Sequence, residues 1–174
     1  MVKFGIISDT HITSSSDPET IEALLKQLRN IFKDVDEIIH AGDICKEDFL
    51  AELNKIAPTK CVKGNMDIIE GLKDFIKFSV GNYNIGVIHE PPEDFEVFFK
   101  DNNLHILIHG HTHQPITQGT AYNTLILNPG SPTTPEAPPQ KRGFDKPIAR
   151  PSIMTLEIDE ETDIISTYTI NLKF

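Results

Sequence analysis

The chain has 174 residues, with 16 Lys or Arg against 26 Asp or Glu, a formal charge of −10 with histidine neutral. That length suits one domain with a sizeable core, 1–174, and the acidic balance excludes a general nucleic-acid binder, which needs a basic face to displace counterions from phosphates. An apolar content of 39% separates the chain from disordered acidic tails, and no apolar run is long enough to span a bilayer, so no membrane role is expected.

The opening run Val2–Ile7 reads as a short buried strand ending at Asp9-Thr10-His11, an acid too early for a signal-peptide core. Asp17-Pro18 has the form of an N-cap followed by a first-turn proline, and Ile21, Leu24, Leu25, Leu28, Ile31 and Phe32 recur at helical spacing. Glu37–His40 is a second strand ending at Ala41-Gly42-Asp43, followed by a helix with Phe49, Leu50, Leu53 and Ile56 on one side. Lys60–Val62 is a third strand, ending at Gly64-Asn65-Met66-Asp67. This βαβαβ order implies parallel strands with right-handed crossovers.

The second half changes character. Phe75–Val80 and Asn84–His89 flank Gly81-Asn82 and read as a hairpin. Residues 92–101 form a helix with Phe95, Phe98 and Phe99 as its core side, and Leu104–Ile108 is a strand ending at His109-Gly110-His111-Thr112-His113. Two short strands near 116–127 precede Asn128-Pro129-Gly130-Ser131. Seven of the twelve prolines fall in 129–151, which is therefore a loop within the domain. A hairpin over 152–158 and 164–172 closes the chain. The expected class is α/β (mixed α+β), with mixed sheets rather than a purely parallel one. Cys45 and Cys61 make no disulfide framework and fit a reducing, cytoplasmic compartment.

Seven candidate metal ligands sit just past strand ends: Asp9, His11, Asp43, Asn65, His89, His111 and His113. In open α/β sheets, ligands bind in the crevice beyond the carboxyl ends of strands. Asp9/His11 and His111/His113 are i, i+2 pairs, which in extended chain share one face. Glycines 42, 64 and 110 precede three of the candidates and permit tight, left-handed turns there. Nitrogen and oxygen donors without thiolates suit Mn, Zn, Fe, Ni or Co. Seven ligands exceed one tetrahedral ion and match two divalent ions sharing a carboxylate. With a bridging hydroxide, such a centre keeps about one net positive charge and attracts an anionic, phosphate-like group.

Asp-Thr-His at 9–11, Gly-Asp at 42–43, Gly-Asn at 64–65, His89 and Gly-His-Thr-His at 110–113 resemble the calcineurin-like metallophosphoesterase signature. The short chain and Asn128–Ser131 are similar to the small single-domain phosphodiesterase branch, which includes vacuolar protein sorting protein 29. The resemblance implies a four-layer sandwich of two mixed β-sheets flanked by helices, with a dinuclear centre at the strand ends. It assigns Asp9, His11 and His113 to one ion, Asn65, His89 and His111 to the other, and Asp43 to the bridge. The implied reaction is hydrolysis of a small phosphate ester by a metal-bridging hydroxide attacking phosphorus in line, with Mn the first choice. Family members often carry a proton-donating histidine after Gly-Asn; here that position is Met66, so no protein general acid is identified. The alternative is a non-catalytic interaction module on the same fold. A homo-oligomer through the edge strands or the proline-rich loop is a further expectation.

Other groups have blander readings. His40 and His109 read as buried supporting groups, His105 has no evident task, and Asp67 either steadies a ligand or caps the following segment. Asn128 and Ser131 are expected at the rim of the site. Glu90 is an added carboxylate beside it, and Lys141-Arg142 is a solvated pair in the loop.

Overall fold

A computed structural model describes residues 1–174. The elements run β1 (Val2–Ile7), α1 (Pro18–Ile31), β2 (Glu37–His40), α2 (Glu47–Ile56), β3 (Thr59–Cys61), β4 (Phe75–Val80) and β5 (Tyr83–Ile88). Next come α3 (Phe95–Asn102), β6 (Ile106–Ile108), β7 (Pro115–Gly119), β8 (Leu125–Pro129), β9 (Ser152–Asp159) and β10 (Ile164–Asn171). One sheet has the order β10-β9-β1-β2-β3 and the other β4-β5-β6-β8-β7. Both are mixed: β1–β2–β3 and β5–β6–β8 pair in parallel, while β9, β10, β4 and β7 join antiparallel.

Strand alternation sorts the apolar residues into three layers of contact. Phe4, Ile6, Ile39, Val87, Ile108, Leu127 and Met154 belong to the core between the sheets. Ile7, Ile38 and Ile153 pack with Leu24, Leu28, Phe32, Phe49 and Leu53 of the first two helical segments. On the far side Phe99 of α3 packs with Leu104, Leu107 and Ile126. Each fully buried large side chain contributes about 1.5–3 kcal/mol, so these layers carry most of the stabilisation. The result is the four-layer sandwich of helices, sheet, sheet and helix. Phe32 lies so close to β1 that a Cβ on Gly5 would stand 2.7 Å from its ring, which is why that strand position has no side chain.

Local signals place the element ends. Asp17 caps α1 by accepting from Thr20 N at 2.9 Å, as its sequence suggested. α3 starts at Phe95 rather than 92, because Asp94 accepts from Val97 N at 3.0 Å and two prolines precede it. It ends where Asn103 turns left-handed at φ 49°. Val62 lies outside β3 and makes one isolated bridge to Lys73. His105 also falls outside its expected strand, and its task is local: Nδ1 accepts from Asn84 N at 2.9 Å. Residues 130–151 contain no helix or strand, and Lys141 and Arg142 are exposed there. No helix is long and apolar enough to cross a membrane.

Candidate metal centre

The site lies where the ends of β1, β2, β5 and β6 meet. His111, after β6, donates its backbone N–H to Asp9 Oδ2, after β1, at 3.0 Å, joining the two sheets at that edge. The chain does not leave the strands extended, so the i, i+2 pairs do not share a face in the way extended backbone would give. Asp9 and His11 have φ of 52° and 45°, Asp43 and Cys45 57° and 65°, and His111 and His113 69° and 56°. Three loops thus repeat left-handed residues two positions apart, a conformation that costs about 1–3 kcal/mol per non-glycine residue and concentrates at functional sites. Cross-loop bonds hold it: Asp9 N donates to Gly42 O at 3.0 Å and His11 N to Asp43 O at 2.9 Å.

The three glycines act for different reasons. Gly42 has φ 93°, the left-handed turn expected of it. Gly64 and Gly110 are not left-handed; they are places of close approach. A Cβ on Gly64 would stand 2.1 Å from Asp43 Oδ1, and one on Gly110 2.0 Å from Ser8 Oγ and 2.7 Å from Asp9 Oδ2.

All seven sequence candidates converge. His113 Nε2 is 3.3 Å from Asp9 Oδ1 and 3.2 Å from His11 Nε2. His89 Nε2 is 3.4 Å from Asp43 Oδ2, 3.9 Å from Asp9 Oδ1 and 3.0 Å from Asn65 Oδ1. Asn65 Oδ1 is in turn 3.2 Å from His111 Nδ1. Two triads have donor atoms mutually close enough for one ion each: Asp9, His11, His113 and Asp9, Asp43, His89. Donors about 2.1 Å from an ion stand roughly 3.0–3.4 Å from one another, so the observed spacing fits. Burial is graded. Asp9, Asp43 and His89 form the buried floor, His11 and His113 are half-buried, and Asn65 and His111 stand at the exposed rim.

Supporting bonds point the ring lone pairs inward. His89 Nδ1 meets Ala41 O at 2.8 Å and His113 Nδ1 meets Thr134 O at 2.6 Å. A carbonyl only accepts, so in each neutral imidazole the single proton is on Nδ1 and Nε2 presents its lone pair. His89 Nε2 therefore faces the Asp43 carboxylate acceptor-to-acceptor. A cation between them resolves that repulsion, and the residues present fit a metal.

Sequence reasoning undervalued several supporting residues. Asp67 does not cap the segment after it; Oδ2 accepts from Asp43 N at 3.0 Å and Gly64 N at 2.8 Å, and Oδ1 from Cys45 N at 2.7 Å. Asn128 and Ser131 are fully buried and do not line the rim. Asn128 Nδ2 donates to Gly110 O at 2.9 Å, and Ser131 Oγ to Asp9 O at 2.7 Å. Thr133 Oγ1 donates to Thr10 O at 2.9 Å. Backbone acceptors such as Ala41 O and Thr134 O carry no side-chain signal, so only the Asn-Pro-Gly-Ser block pointed toward this layer.

Met66 donates its backbone N–H to Asp43 Oδ1 at 2.8 Å, while its side chain is 58% exposed. Glu90 Oε1 reaches no closer than 4.0 Å to His111 Nδ1. Burial raises the pKa of Asp9, opposed by a hydrogen bond from Ser8 and by His89, His113 and His11. Burial lowers that of His11 against the pull of Asp43 and Asp9. His40, whose Nε2 lies 3.1 Å from Thr10 Oγ1, is pressed by burial down to about 3 and stays neutral. The Cys45 thiol is pushed up to about 11 by burial and by Asp67, Asp43 and Asp9, so it is no thiolate donor.

Comparison with known proteins agrees with this geometry. The Calcineurin-like phosphoesterase superfamily domain matches residues 2–160. A "Probable metallophosphoesterase" of Methanothermobacter thermautotrophicus is 34% identical over 165 residues, 90% of this chain and 86% of that protein. Another of that description from Methanocaldococcus jannaschii is 36% identical over 141 residues, 77% of this chain and 70% of that protein. Among solved structures, Entamoeba histolytica Vps29 complexed with Zn²⁺ has a TM-score of 0.71 at 25% identity, covering 98% of this chain and 99% of that one. A structure described as a novel archaeal phosphodiesterase shares the fold, with a TM-score of 0.67 at 22% identity, covering 97% of this chain and all of that one. With candidate metal ligands gathered at the strand ends and the family match spanning residues 2–160, the chain belongs to the calcineurin-like phosphoesterase superfamily.

Proposed function

We propose that the chain is a phosphodiesterase with two divalent ions. Asp9, His11 and His113 hold one, Asn65, His89 and His111 the other, and Asp43 lies between them. The observation that carries this is the convergence of candidate donor atoms around Asp43, whose Oδ2 is 3.8 Å from His11 Nε2 and 3.4 Å from His89 Nε2. The all-nitrogen-and-oxygen donor set favours Mn, with Zn, Fe, Ni or Co as substitutes. Bound ions supply an acidified water and neutralise charge on the phosphoryl oxygens.

The chain's own residues do the rest. His89 and His113 keep their lone pairs aimed by donating Nδ1–H to fixed carbonyls, and Asp67 locks the Asp43 and Gly64 loops to each other. A cleft of about 440 Å³ beside Asn65 and His89 gives a small phosphate ester room to approach. No protonatable side chain occupies the Met66 position, so the leaving alcohol departs without help from that side. This favours diesters with acidic leaving groups. The two free thiols, Cys45 and Cys61, are consistent with work in a reducing compartment such as the cytoplasm.

The test is hydrolysis of a series of aryl phosphodiesters by the Mn-loaded chain. The expected kcat/KM falls steeply as leaving-group pKa rises. A flat dependence would reveal an acid and overturn the unassisted departure, and no Mn-dependent hydrolysis of any of these diesters would overturn the phosphodiesterase reading.

A further inference from the structure

The outer face of the second sheet is incompletely covered. α3 is only eight residues long, and its buried Phe99 seals Leu104, Leu107 and one side of Ile126. Beside it, between the first turn of α3 and the β7–β8 pair, lies a groove of about 550 Å³. That volume is in the range of small-molecule sites, roughly 300–1,000 Å³. Phe95, Ile116, Ile126 and Tyr122 supply apolar and aromatic lining.

Two features tie this groove to a ligand. Its lining adjoins the candidate metal ligands along the chain: Pro91 comes directly after His89 and Glu90, and Thr112 stands between His111 and His113. Its wall includes His109, which is 2% exposed. His109 Nδ1 meets the carbonyl of Gly110 at 3.0 Å, and Asn128 Nδ2 is placed closer to Gly110 O and Thr112 Oγ1 than to that ring. The Nδ1 proton therefore goes to the carbonyl, and Nε2 is left as an acceptor with no protein partner. A group that fills the groove must bring a donor to it.

We propose that this groove seats the organic arm of the phosphate ester, a flat aromatic heterocycle carrying an N–H donor, as in an aminopurine. The proposal rests on the phosphodiesterase reading for its reactive end. An acyl chain would leave His109 Nε2 unpaired, and a free sugar would waste the aromatic lining. A planar ring with an exocyclic amine satisfies both the aromatic walls and the unpartnered acceptor.

Gln118 provides the means of testing it. It lines the groove and stands opposite Ile126 in the β7–β8 register, on the face that carries the groove. Gln118→Trp therefore fills the groove from an exposed edge-strand position, and Ala121→Trp is the second filling variant, with folding of each checked by circular dichroism.

The Mn-loaded full chain is assayed on two diesters with the same leaving group, methyl p-nitrophenyl phosphate and adenosine 5′-(p-nitrophenyl phosphate). The adenosine ester is expected to show kcat/KM about tenfold or more above the methyl ester. In either filling variant that ratio falls to near one. A wild-type ratio near one, or a ratio that survives filling, overturns the proposal.

A second arm does not depend on turnover: binding of adenosine alone, measured by calorimetry on the metal-free chain. Adenosine is expected to bind, to be weakened about tenfold by Gln118→Trp, and to exceed purine riboside, which lacks the amine, by a similar factor. Failure of both esters to react, with adenosine still bound in a filling-sensitive way, refutes the catalytic reading and leaves the groove assignment standing. Absent or filling-insensitive binding refutes the groove assignment.

Discussion

His113 donates Nδ1–H to the carbonyl of Thr134 at 2.6 Å, so the start of the proline-rich segment orients the ring of a candidate metal ligand beyond the end of β6. Ser131 holds that segment in place, with Oγ donating to Asp9 O at 2.7 Å and accepting from Thr134 N at 2.9 Å. Residues that orient ligands typically control about 10–100-fold in metal affinity. Ser131→Ala is expected to weaken Mn binding by that order in a calorimetric titration while the circular dichroism spectrum is kept. Unchanged affinity would show that the segment is not part of the ligand support.

Asp67 accepts three backbone N–H groups, from Asp43, Cys45 and Gly64. Asn at this position offers one oxygen and turns an amide donor toward a backbone donor. Each unsatisfied buried donor costs about 1–3 kcal/mol. Asp67→Asn should lower unfolding stability by at least that amount in urea titration, with metal affinity falling alongside it. Equal stability of the two chains would deny that Asp67 joins these loops.

Gly64 and Gly119 make a contrasting pair. A methyl group on Gly64 meets Asp43 Oδ1 at 2.1 Å, whereas one on Gly119 meets nothing. Gly64→Ala must push the Asp43 carboxylate aside and is expected to reduce hydrolysis by about 10²-fold or more, the scale of a 1 Å misplacement in a reacting assembly. Gly119→Ala should leave hydrolysis of a small methyl ester at the wild-type rate. Kinetics of the two variants side by side check this.

His40 supplies a pH signature. Its pKa is held near about 3 in the fold, chiefly by burial and then by His89 and His11, against the ordinary 6.5. Below pH 6.5 the unfolded chain takes up a proton that the native chain refuses. Stability from this group is therefore complete above about pH 6.5 and declines as pH falls toward about 3, by up to roughly 1.4 kcal/mol per unit. His40→Gln removes that titration. Between pH 7 and pH 5 the wild type should lose about 2 kcal/mol more than the variant in urea unfolding, and equal losses would contradict the burial of a neutral His40.

Much of this architecture was legible in residue order. Alternating apolar runs and the Asp17-Pro18 cap placed β1, α1 and β2, and each donor after a strand end marked one edge of the sheets. The conformation joining those donors was not legible. Extended pairing was expected for Asp9/His11 and His111/His113, but all four residues are left-handed. Nothing in an Asp or His codes for that; it arises from bonds such as Asp9 N to Gly42 O, which form only when two distant loops meet. The same holds for Gly64 and Gly110, whose smallness answers to Asp43 and Ser8 across the site rather than to their own φ. Asn128 and Ser131 were misplaced at the rim because their partners, Gly110 O and Asp9 O, are backbone groups.

The proposed reaction requires two bound ions that share Asp43. Metal content by inductively coupled plasma mass spectrometry on Mn-loaded wild type and Asp43→Ala tests this, with bis(p-nitrophenyl) phosphate hydrolysis recorded on the same samples. Two ions per wild-type chain are expected, with loss of at least one in Asp43→Ala and hydrolysis lower by about 10³-fold or more. Full metal content and undiminished hydrolysis in Asp43→Ala would show that Asp43 holds neither ion.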